Sequence, residues 1–164
     1  IIEAQLTDEK TWQRWTSGFR VLQSAEAFAE HGDFYRRHGP SVLGDDVAAR
    51  FEFASRLTDT DRKAVVGVRS EVLNRLKEVT EDGTCVVLMP AAPTRAPLRN
   101  RPETDIAAVS RLRRLTSIAS LAGAPSVTVP SRTTTPVGLS LVGAPGSDEM
   151  LIDLAAGVHQ FLSF

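Results

Sequence analysis

A single cysteine, Cys85, is all the thiol this chain has. An internal disulfide is therefore impossible, and a zinc site built from several thiolates is excluded. The chain also lacks an excess of charge: its formal net charge is −1, so nothing global favours nucleic acid or a membrane surface. No apolar run approaches the roughly 20 residues of a membrane span. No basic stretch followed by an apolar signal segment opens it, and Ile1-Ile2-Glu3 begins without methionine, as in a piece of a larger protein. Cys85 stands in the apolar run to Met89, which suggests a buried, inert thiol rather than a reactive nucleophile. Reduced thiol chemistry fits a cytoplasmic protein.

What is present is ordinary for a globular chain of 164 residues, with 42% hydrophobic and 24% charged residues. The first half has helical periodicity. Trp12, Trp15, Phe19, Leu22, Ala25 and Phe28 form one stripe, with Thr7 or Asp8 as its cap. His38-Gly39-Pro40 ends it, and Gly32 offers an earlier break. A short helix should follow Gly44. A longer one should open at Thr58-Asp59, show Val65, Val68, Val72, Leu76 and Val79 on one face, and stop at Asp82-Gly83.

The second half alternates. Residues 85–89 read as a buried strand ended by Pro90, and the prolines at 90, 93, 97 and 102 make a stiff loop. A helix is expected over 104–122, then strands over 126–129 and 137–142. Ser147 should cap a last helix carrying Leu151, Leu154, Val158 and Leu162. This order predicts an α/β fold: helices covering about three buried strands of a larger mixed sheet. The domain reading is one incomplete domain over 1–164, helical over 1–82 and α/β over 83–164.

Catalytic constellations are hard to find. His31 and His38 are seven residues apart without a third ligand, so solvated helix-surface histidines are the better reading than a metal site. Asp45-Asp46 and Asp59-x-Asp61 sit where carboxylates favour a helix start. Gly143 to Asp148 looks like a phosphate-cradling turn, but it lacks the lysine of such loops, and a glycine turn with a serine commonly just starts a helix. Arg20 and Glu26 are too far apart to pair within a helix, so each should bind another element.

Four stretches resemble the C-terminal region of the amidase signature family. They are residues 19–26 with His38-Gly39-Pro40 and Arg50; residues 87–97, similar to the family's strand and Pro-Thr-x-Pro loop; residues 116–130, Thr-Ser-Ile-Ala-Ser-Leu-Ala-Gly-Ala-Pro-Ser-Val-Thr-Val-Pro; and residues 136–143 followed by Ser147-Asp148. The resemblance implies the C-terminal part of an α/β/α fold. It also implies a hydrolase that cleaves a C–N amide or urea-type bond through an acyl-enzyme, with no cofactor and no metal. Its Ser-cisSer-Lys triad is not carried over to any residue here. The chain has no Ser-Ser or Gly-Gly pair, and its lysines are Lys10, Lys63 and Lys77 in helical settings. The catalytic part is expected to precede this chain and to be its main partner, and the isolated chain is expected to be inactive.

The resemblance also suggests a substrate-channel wall. Ala91 and Pro93 lie in the loop after the first strand, and Ala91 stands where the family commonly has threonine. Thr116 matches a family threonine. Arg113 falls where the amidotransferase branch has an aspartate that grips the substrate ammonium, and the reversed charge favours an anionic small-molecule amide. The competing reading is a solvated or interdomain cluster of Arg111, Arg113 and Arg114. No nucleic-acid or membrane partner is expected, and a homodimer is left open. A non-catalytic accessory or interaction module derived from the same fold is the alternative for the whole chain.

Overall fold

The structure is a computed structural model and describes residues 3–96, 106–130 and 137–162. Two compact units make up the chain, one formed by residues 1–12 and 69–164 and the other by 13–68.

The second of these is helical. Helix α1 runs Glu9–His38 without a break at Gly32. Its cap is Asp8, whose carboxylate accepts the backbone N–H of Thr11 at 2.8 Å and the Thr11 hydroxyl at 3.1 Å. Gly39 ends it with φ 72. Helix α2, Asp45–Ser55, follows Gly44 as expected. Its aromatic side chains join those of α1: Phe51 stacks on Tyr35 at 5.4 Å and lies 6.2 Å from Phe28. The Arg20 guanidinium sits 4.1 Å above the Phe53 ring, so Arg20 does bind another element, through its charge over a π-face. Buried Gly18 admits Val68 so closely that a Cβ there would lie 2.8 Å from a Val68 methyl.

The long helix expected from Thr58 is two helices. Helix α3, Asp59–Val65, and helix α4, Gly67–Val79, are separated at Val66. Gly67 lacks a side chain that would favour continuing the helix, and Val66 stays 69% exposed, so no burial rewards it. The expected capping at the start is present in full: the Asp61 backbone N–H donates to the Thr58 hydroxyl, and the Asp61 carboxylate accepts the Thr58 backbone N–H. The apolar face is real, with Val68, Val72 and Leu76 buried.

The first unit holds the sheet. Strands β1 (Val87–Pro90), β2 (Ser126–Pro130) and β3 (Gly138–Val142) form an antiparallel sheet in the order β1-β3-β2. Helix α5, Ile106–Ala122, precedes β2, and helix α6, Asp148–Phe161, follows β3. The register pairs Leu88 and Val127 with Leu141, and Pro90 and Val129 with Leu139. Paired residues share a face. Helix α6 packs on that face over β2 and β3, where Leu151 and Ala155 close on Val129 and Leu141. The α/β class thus holds, but the strands are not buried on both faces. β1 and β2 alternate between residues that are partly buried or (Val129) buried and exposed ones, and Leu88 is 44% exposed because α6 lies over the other two strands.

Two local expectations change. Cys85 is exposed, because it precedes the ladder rather than entering it. Ser147 occupies the N-cap position of α6 but makes no cap: its hydroxyl donates to the Ala144 carbonyl at 2.7 Å. That turn therefore satisfies itself. A Cβ at Gly143 would fall 2.2 Å from the Ser147 hydroxyl, so the serine fills the space a cradle would need.

Two measurements follow from this packing. Gly18→Ala should lower stability in urea unfolding by about 1–3 kcal/mol, because stiff, buried Val68 must give way. Gly157→Ala in α6, where an added Cβ meets nothing within 4 Å, should raise it by roughly 0.5–1 kcal/mol. Equal effects from the two would contradict the close approach. The pH dependence has a definite sign. Hydrogen bonds from Thr58 to the Asp61 carboxylate, and from Thr11 to that of Asp8, hold both carboxyls below their ordinary range. A depressed folded pKa contributes stability that is present above the unfolded value, about 4, and is lost as the pH falls through the folded value. Asp61→Asn should flatten part of that acid loss in unfolding curves recorded from pH 7 down to pH 2.

Candidate functional site

The sheet gathers the first two expected wall residues. β1 and β2 both run antiparallel to β3, so their carboxyl ends lie at the same edge. Ala91 leaves β1 there, half-buried, and its backbone N–H donates to the Gly138 carbonyl at 2.8 Å. Pro93, also half-buried, follows two residues on. Gly138 is needed at this point. A Cβ on it would lie 2.8 Å from the Thr128 methyl and 3.1 Å from the Ala91 Cβ.

Sequence reasoning missed two polar groups at the same edge. Thr128 and Ser140 are cross-strand partners, and their hydroxyls are hydrogen-bonded at 2.9 Å. They lie on the face opposite α6, in a row with Met89. Ser140 is buried while Thr128 is exposed, so the threonine is the end of the pair that a molecule at this edge can reach. The signal was the period-two pattern: Thr128 and Ser140 are hydroxyl positions set between apolar neighbours, Val127 and Val129 in one strand and Leu139 and Leu141 in the other.

Helix α5 carries the other two expected residues. Arg113 is half-buried and Thr116 is exposed. Their spacing of three places them on neighbouring turns of one face. The Thr116 hydroxyl donates to the Leu112 carbonyl at 3.1 Å, so it is left to accept rather than donate toward a ligand. One of the neighbouring arginines has a distant partner. Arg114 is committed to Glu9 in a two-pronged ion pair, with Nη1 2.7 Å from Oε2 and Nη2 on Oε1. That carboxylate raises the Arg114 pKa above its usual value. The 91–93 loop and the Arg113–Thr116 stretch belong to separate elements.

The remaining candidates are not assembled into chemistry. Lys10, Lys63 and Lys77 are exposed. His31, His38 and His159 are exposed as well, and the His38 ring rests on Phe34 at 4.6 Å. Among the described residues, no group of three His, Cys, Asp or Glu side chains is placed to hold a metal ion, and no helix is long and apolar enough to cross a membrane.

Comparison with known proteins is consistent with this geometry. The sequence model of the family described as Amidase matches residues 8–152. A crystal structure of an amidase shares 25% identity and a TM-score of 0.77, over 94% of this chain and 36% of its own. An inhibitor-bound structure, described as a vestigial protein complex that reveals the evolutionary origins of an s-triazine catabolic enzyme, has 19% identity and a TM-score of 0.75. It covers 93% of this chain and 35% of its own. A glutamyl-tRNA(Gln) amidotransferase chain from Thermotoga maritima has 18% identity and a TM-score of 0.54, over 90% of this chain and 38% of its own. No curated protein sequence matches the chain. The chain spans about a third of the length of these solved structures.

The hydroxyl pair allows a direct check of the strand-end geometry. Thr128→Val leaves the buried Ser140 hydroxyl without its partner and should cost about 1–3 kcal/mol in urea unfolding. Adding Ser140→Ala should return part of that loss. Strictly additive single and double variants would mean that the two hydroxyls are not coupled.

Proposed function

The chain belongs to the amidase signature family, and from that membership we propose that it is the C-terminal part of a serine-dependent hydrolase of C–N amide or urea-type bonds. The observation that carries this reading is the family match over residues 8–152 in a chain about a third as long as the amidase it resembles. The chain supplies part of the sheet core and two pieces of a substrate-channel wall, the Ala91–Pro93 loop and the Arg113–Thr116 turns of α5. The Ser-cisSer-Lys triad comes from polypeptide outside these residues. Two features support that division: the chain has neither a Ser-Ser nor a Gly-Gly pair, and its three lysines are exposed on helices. A nucleophile requires an activating base within hydrogen-bond reach, together with donors for the oxyanion.

Arg113 sets the substrate class in this reading. A guanidinium binds a carboxylate through two parallel N–H···O bonds and repels an ammonium, so the favoured substrate is an anionic amide. Thr116 accepts an N–H from the same molecule. Ala91 and Pro93 shape the apolar side, and alanine keeps that wall free of a hydroxyl.

In the complete enzyme, Arg113→Ala should raise KM for acidic amides by about ten- to a hundredfold, corresponding to a charged hydrogen bond of about 1.5–3 kcal/mol, and should leave neutral amides nearly unchanged. An unchanged KM and unchanged discrimination would sink the assignment. The purified chain by itself should hydrolyse simple amides no faster than buffer. Turnover abolished by a single substitution within the chain would show that a nucleophile lies inside it.

A further inference from the structure

The segment leading into α1, together with that helix's first residue, Glu9, is fastened to two other helices by arginines. Arg75 of α4 uses its whole fork: Nε–H donates to the Leu6 carbonyl at 2.6 Å, Nη2 to the Gln5 carbonyl at 3.0 Å, and Nη1 to the Glu78 carboxylate at 2.8 Å. Arg114 of α5 grips Glu9, four residues after Gln5, through both carboxylate oxygens. Residues 5–9 thus form a strap with one end on α4 and the other on α5. Backbone carbonyls make the first fastening, so it depends on the path of the strap rather than on its side chains.

Helix α5 needs such a fastening at one end only. Its second half is seated in the core through Ser117, Ile118, Leu121 and Ala122. In its first half Val109 and Leu112 remain exposed, at 38% and 41%. Local opening is easiest where few apolar groups are buried. The Glu9 clamp grips Arg114, at the boundary between these halves. Arg113 precedes the clamped residue by one position and Thr116 follows it by two.

We propose that Glu9 and Arg75 are positioning residues: through the 5–9 strap they fix the rotation and order of α5 over residues 109–116, and with it the direction in which Arg113 and Thr116 are presented. This rests on the reading that those two side chains face substrate, but the ordering itself is independent of any substrate. Arg75 acts at a distance. It touches the strap and not the helix, so its effect on α5 measures what the strap transmits.

Hydrogen exchange read by mass spectrometry on the full chain tests this without an activity assay. Glu9→Gln and Arg75→Gln should each speed exchange over 109–116 by about two- to fivefold, the range of a partly exposed ion pair, and leave 118–122 and the strands unchanged. The swapped pair Glu9→Arg with Arg114→Glu should restore the wild-type rates. Raising NaCl to about 1 M, where charges are screened beyond about 3 Å, should reproduce the regional loosening in the unsubstituted chain. The proposal is overturned if Arg75→Gln loosens only residues 5–9, if the swap restores nothing, or if every variant speeds exchange uniformly. Failure of the Arg113 substrate assignment would leave these exchange patterns intact, so the two outcomes are separable.

Discussion

Strand β3 has to satisfy two neighbours at once, and most of the first unit follows from that. Both edges of its backbone are taken, one by β1 and the other by β2. A shift of β3 by one residue against its neighbours would turn Leu139 and Leu141 away from α6. The register is therefore held by the apolar contact of Val129 and Leu141 with Leu151 and Ala155 as much as by hydrogen bonds. With β3 central and antiparallel to both neighbours, the ends of β1 and β2 must emerge together. That places the Ala91 loop beside Gly138 and brings Thr128 opposite Ser140.

Charge does a different job from burial in this chain. Its described ion pairs are at least partly exposed, and pairs of that kind contribute little to stability. Most lie within one helix, at a spacing of three or four residues. The Arg114–Glu9 pair spans distant parts of the sequence, and so do the bonds from Arg75 to the Gln5 and Leu6 carbonyls. Their value lies in geometry. Planar guanidinium groups hold the start of α1 and the residues leading into it in one path, which apolar contact along an exposed helix end cannot do.

Much of the architecture was legible because it is written in local periodicity. The stripe from Val68 through Val72 to Leu76 identified a buried helix face. Thr58-Asp59 identified its start, and Gly39 and Gly83 marked where helices give way. The break at Val66 was not legible, since Val65, Val66 and Val68 are equally apolar and only the burial of one and the exposure of another separates them. Cys85 failed for a related reason: an apolar run shows that a strand is near, not where its ladder begins. The candidate site was legible in part. Arg113 and Thr116 share a helical face by spacing alone. The opposition of Thr128 and Ser140, twelve residues apart in sequence, depends on a register that no local pattern states.

Local sequence was enough to set which segments are helix and which are strand, which faces are apolar, and which family the chain resembles. These depend on periods of 3.6 and 2 residues and on short motifs, all properties of near neighbours. Tertiary structure decided that the sheet is antiparallel with β3 in the middle, that Ser147 closes its own turn, that Cys85 is exposed, and that Arg114 is committed to Glu9. Each of these depends on which group competes for the same hydrogen bond or the same apolar surface, and that competition exists only once the chain has folded back on itself.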